Sequence, residues 1–118
     1  MFQLGSAIRI YLAPGPTDLR KSFDTLSALV RDQLALDPLS GHVFAFCNRR
    51  RDRLKILFFD GTGLWVCTKR IEGGSYHWPG AGEPGPIRLN QQQMALLVGG
   101  IDLAKTTERR WWRPQDKT

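Results

Sequence analysis

The sequence predicts an α+β fold: an antiparallel β-meander packed on one long N-terminal α-helix, followed by a short C-terminal helix and a basic tail. Three observations predict it. Leu19, Phe23, Leu26, Leu29, Val30 and Leu34 recur at helical spacing near the start. Three β-rich runs then follow in close succession between His42 and Arg70, joined by tight turns. The 118 residues, 42% of them hydrophobic, supply apolar material for one core, and helix on sheet is the natural two-layer solution at that length.

Each element has a local reason. Residues 7–12 (AIRIYL) are rich in β-formers and read as a strand, which Ala13-Pro14-Gly15-Pro16 breaks. Thr17 is placed to cap a helix from about Asp18 to Leu34, with Asp18 favourable to the helix dipole. Asp37-Pro38-Leu39-Ser40-Gly41 is a turn. Strands are expected at His42–Asn48, Arg53–Phe59 and Leu64–Arg70, with Asp60-Gly61-Thr62-Gly63 as a hairpin turn. A fourth short strand is expected at Ser75–Trp78 after Glu72-Gly73-Gly74, then a loop rich in Gly and Pro. Ile87-Arg88-Leu89 is extended, and Asn90 caps a short helix, Gln91–Val98, that Gly99-Gly100 stops. Residues 1–103 form one domain in this reading, and residues 104–118 are a basic tail.

If both hairpins close symmetrically, Phe46, Lys55 and Thr68 lie side by side, as do Phe44, Leu57 and Val66. One sheet face then carries Val43, Ala45, Cys47, Leu54, Ile56, Phe58, Trp65 and Cys67, and is expected under the long helix. The other face is divided. Toward Asp60–Gly63 it is apolar (Phe44, Leu57, Phe59, Leu64, Val66), and Phe44, Leu57, Phe59 and Val66 are candidates for a partner interface. The short C-terminal helix, through Met94, Leu97 and Val98, is one cover for it; a second copy, making a homodimer, is another. Toward the arginine turn the same face is basic: Arg53, Lys55 and Arg70 join Arg49, Arg50 and Arg51. Such a β-ribbon end either tracks phosphates or is a solvated tip whose charges blunt an edge. Within the tail, Arg109, Arg110, Trp111, Trp112 and Arg113 either contact nucleic acid, with guanidinium on phosphate and indole on base, or fold back as an apolar anchor.

The formal charge of +6 favours polyanionic partners, DNA among them. Cys47 and Cys67 are too few for a disulfide scaffold. Neither a signal peptide nor a membrane-length apolar run is read, so a cytoplasmic protein with no membrane partner is expected. Enzymatic chemistry finds little footing. Asp18 and Asp60 have simpler work at a helix start and in a turn, Asp52 sits among arginines, and no two-metal carboxylate set emerges. His42, His77 and the two cysteines have no zinc-site spacing, and Gly61-x-Gly63 lacks the lysine and helix of a phosphate loop. No catalytic residue, cofactor or metal is assigned.

Several segments carry a resemblance. They are residues 11–26 (YLAPGPTDLRKSFDTL), residues 37–44 (DPLSGHVF), Asn48-Arg49-Arg50-Arg51-Asp52-Arg53-Leu54-Lys55, Asp60-Gly61-Thr62-Gly63-Leu64-Trp65, Lys69-Arg70-Ile71-Glu72 and Trp78-Pro79. In order and spacing these resemble TnpB, the Orf2-type accessory proteins of bacterial insertion sequences of the sixty-six family, over about residues 8 to 103. The resemblance implies a non-catalytic protein assisting DNA transposition beside a larger transposase and a second small accessory protein. It brings no catalytic residues. One departure stands out: Arg51 occupies a turn position where the family usually has glycine, so a positive φ there is costly. Two functions follow as alternatives: DNA binding through the basic sheet end and tail, or docking of the transposase or the other accessory protein on the apolar half-face.

Overall fold

The structure, a computed structural model, describes residues 7–20 and 22–103. Strand β1 (Ile10–Pro16) is followed by helix α1 (Phe23–Asp32), then strands β2 (Val43–Cys47), β3 (Arg53–Phe59), β4 (Leu64–Arg70) and β5 (Ile87–Leu89), and helix α2 (Gln91–Val98). The strands make one five-stranded sheet in the order β4-β3-β2-β1-β5. Strands β2, β3 and β4 are antiparallel neighbours; β1 pairs parallel with β2 and antiparallel with β5. The sheet is therefore mixed.

This corrects the expected fold. The N-terminal helix is not long, and it is not what a free-standing meander packs on. Residues that were to form its first turn are held otherwise. The Asp18 carboxylate accepts the Arg20 amide at 3.1 Å and pairs with its guanidinium at 2.8 Å, which closes a turn ahead of the helix. The helix begins only after Ser22, whose N–H donates to Thr25 Oγ1 at 3.0 Å. It ends where Ala35 enters the left-handed region at φ 56° and the Leu36 amide reaches back to Val30 O at 3.0 Å.

The first strand also outlasts its expected break. Ile10, Tyr11 and Leu12 pair with Val43, Phe44 and Ala45; the register then slips, and Pro16 pairs with Cys47. Gly15, at φ 72°, absorbs the irregularity. Ser75–Trp78 is not a strand. It runs across the sheet, with Tyr76 and Trp78 buried and the Trp78 indole donating to Ala13 O at 2.8 Å. Helix α2 matches its expected span. The Asn90 side chain accepts the Gln93 amide at 2.7 Å, and the Gln93 side chain accepts the Asn90 amide at 2.9 Å.

The sheet has a core on each face. Val43, Ala45, Cys47 and Leu54 join Ile10 and Leu12 under Tyr76, Trp78, Met94 and Leu97. Phe44, Phe46 and Leu57 pack with Leu26, Val30 and Leu34 of the α1 region. The pairings Phe46–Lys55–Thr68 and Phe44–Leu57–Val66 hold as expected, but the helices are exchanged between faces. Among the described residues no helix is long and apolar enough to cross a membrane.

Candidate nucleic-acid interface

Two chain reversals meet at one end of the sheet. The bulge in β1 delivers Thr17 to the end of β2, where its amide donates to Cys47 O at 2.7 Å. The turn after β2 carries Arg49, Arg50 and Arg51. Together they border a cleft of about 570 Å³ lined by Pro16–Arg20, Asn48, Arg49, Arg50 and Arg53. It is open, unlike the enclosure that suits a drug-sized molecule. Ligand clefts in sheets with parallel strands favour the carboxyl ends of those strands, and this one lies at the carboxyl ends of β1 and β2.

Asn48 organises the arginine turn. Its side-chain oxygen accepts the Asp52 and Arg53 amides at 3.0 and 3.1 Å, and its Nδ2 donates to Asp52 Oδ1 at 2.7 Å. That last bond, aided by Arg53 and Arg50, holds the Asp52 carboxyl below its usual range, so it is ionised at neutral pH. From outside, the Tyr76 amide donates to Arg51 O at 2.7 Å and the Ile71 amide to Asp52 O at 2.9 Å. The turn is thus fixed on both sides. Arg51 does sit at positive φ, 61°.

Charge is concentrated here without being neutralised. Arg50 and Arg53 share the single carboxylate of Asp52 at 4.0 and 3.9 Å. Arg53 stands directly across from Arg70, a like-charge pair that disfavours the sheet. Arg70 is drawn to Glu72 at 2.9 Å. Arg49 has no ion-pair partner among the described residues.

Of the sequence candidates, Arg49, Arg50 and Arg53 line the cleft and Arg51 lines a smaller recess behind it, with Arg49 and Trp78. Lys55 is half-buried between Phe46 and Thr68 in register, one step inward. Arg109, Arg110, Trp111, Trp112 and Arg113 lie outside the described residues. Thr17, Asp18 and Arg20 also line the cleft, and Arg20 pairs with Asp18. The Pro-Gly-Pro run was the available signal, since a bulge there redirects everything after it.

The apolar candidates lie elsewhere. Phe44 and Leu57 have no exposure and pack under α1, while Phe59 and Val66 are half-buried. Helix α1 covers Phe44 and Leu57, and α2 packs on the opposite face. Asp60 is a turn clip: Oδ1 accepts the Thr62 and Gly63 amides at 2.8 and 2.9 Å, and Oδ2 accepts the Trp65 indole at 2.8 Å. Burial pushes the Cys47 thiol up to about 11, which leaves it protonated and a poor nucleophile. Among the described residues, no three His, Cys, Asp or Glu side chains gather to hold a metal.

Comparison with known proteins agrees in extent with the resemblance seen in the sequence. The family described as "IS66 Orf2 like protein" matches residues 8–108. The uncharacterized protein y4hO of Sinorhizobium fredii is 38% identical over 97% of this chain and 96% of its own length. A second uncharacterized protein of that bacterium, y4jC, is 34% identical over 91% of each chain. No solved structure matches significantly. With nearly the whole chain matched, the protein belongs to the TnpB family of IS66 Orf2-like proteins.

Proposed function

We propose that this chain is a non-catalytic accessory protein of DNA transposition that grips DNA phosphates with the basic end of its sheet. One observation carries the reading: Arg49, Arg50 and Arg53 line one open cleft on a turn fixed by Asn48, with only Asp52 to share between the latter two. Guanidinium groups clustered on one turn are suited to phosphate oxygens, and their mutual repulsion is relieved when a polyanion arrives. Phosphate contacts of this kind set affinity and position, not sequence preference. The tail arginines and Trp111 and Trp112 would extend the contact, and the element's transposase and second accessory protein would work on the same DNA. The docking alternative has less support, because Phe44 and Leu57 serve the core.

The test is binding to duplex DNA by the full chain and by an Arg49→Gln/Arg50→Gln/Arg53→Gln variant. Each lost phosphate contact lowers the slope of log affinity against log salt by about 0.9, so the triple variant is expected to lose about 2 to 3 from its slope. Equal slopes would reject the cleft as the contact site.

A further inference from the structure

The two edges of the sheet differ. Strand β5 ends one side with three residues, while β4 ends the other with seven. Long open edges are templates for pairing, and natural proteins usually shorten or cover them. Two bonds fix which backbone groups of β4 face outward. Asp60 N–H donates to Gly63 O at 3.0 Å and Ile71 N–H to Asp52 O at 2.9 Å, so in this register the odd residues Trp65, Cys67 and Lys69 bond inward to β3. Leu64, Val66, Thr68 and Arg70 turn their N–H and C=O groups outward, with no strand beside them among the described residues.

We propose that β4 pairs antiparallel with β4 of a second copy, about a two-fold axis at Cys67, joining two sheets into one of ten strands. The spacing of outward groups permits it: Leu64 would face Arg70 of the second copy, and Val66 would face Thr68, using every free group. The side chains favour this occupant over an unrelated strand. Apolar residues fill the first half of β4 and cations the last, so an antiparallel copy sets Lys69 across from Trp65 and keeps like charges apart. Trp65 gains most. It is 47% exposed in the single chain, yet its ring is fixed by the bond to Asp60 and by stacking on Phe58 at 6.1 Å. Lys69 donates its Nζ to Val98 O at 2.8 Å, so what it lays against the fixed indole is its alkyl stem. This pairing does not depend on DNA binding at the arginine turn.

In this arrangement the two Cys67 residues form a non-hydrogen-bonded facing pair, with Cα atoms about 4.5 Å apart, within reach of a disulfide. The experiment measures the solution mass of the full chain at tens of micromolar and its cross-linking by diamide, which takes two electrons and two protons from the two thiols. Expected are a dimer, twice the 13.4 kDa chain mass, and a cross-link kept in Cys47→Ser and lost in Cys67→Ser. Thr68→Pro removes only an outward N–H from an exposed position, so its mass should halve while its far-ultraviolet spectrum is unchanged. A monomer throughout overturns the pairing. So does a dimer that Thr68→Pro leaves intact and diamide does not join at Cys67. Should Thr68→Pro fail to fold, the Cys67 cross-link decides alone.

Discussion

Arg51 holds a left-handed backbone conformation that glycine adopts freely and arginine does not. Arg51→Gly is therefore expected to raise stability by about 0.5–1 kcal/mol, after the extra freedom of glycine in the unfolded chain is set against the relief of strain. Urea unfolding of the two proteins measures it. Weaker DNA binding by the same variant would mean that the strained arginine is kept for its charge. Asp60 gives a second case. Its carboxyl is held well below the usual range, first by the Thr62 amide and then by the Trp65 indole and the Gly63 amide. A depressed folded-state value stabilises above the unfolded value, about 3.9, and that contribution is lost as pH falls below it. Stability should drop in acid below about pH 4, and Asp60→Asn should flatten that part of the profile. An unchanged acid limb would mean that other carboxylates dominate. The turn position of Arg51 and the local role of Asp60 were both legible in the sequence, since each depends on a few adjacent residues. The Asp18–Arg20 pair was not, because Asp18 was read as the start of a helix and the pair belongs to a turn ahead of it.

At the scale of elements, hairpin register was legible and helix placement was not. Turn chemistry at Asn48–Asp52 and Asp60–Gly63 fixes which residues face each other, and the observed pairs follow from it. Alternation then sorts side chains into two faces. It says nothing about which face a helix takes when both are apolar, as with Val43, Ala45 and Cys47 on one and Phe44 and Phe46 on the other. All five residues of β2 are buried, as in a strand covered on both sides. That run was the signal that the sheet is sandwiched. Parallel insertion of β1 beside β2 follows from the α1 crossover, a long-range pairing that local patterns do not encode. Helix α1 packs on the face carrying Phe44 and Leu57, so Leu26→Ala should cost about 2–5 kcal/mol in chemical denaturation. A cost below about 1 kcal/mol would mean that α1 is loosely docked.

For the whole molecule, charge distribution is the property that connects the fold to the proposed function. The net charge of +6 was visible from composition, but its focus required the β1 bulge to bring residues 16–20 against the arginine turn. In the proposed function this focus contacts DNA phosphates. The most direct measurement is fluorescence anisotropy of labelled duplexes, element-end and random sequence, titrated with the full chain across a salt series. Affinity should fall steeply with salt on both duplexes, with a slope that the Arg49→Gln/Arg50→Gln/Arg53→Gln variant reduces by about 2 to 3. Absence of binding at low salt, or binding indifferent to salt, would contradict it.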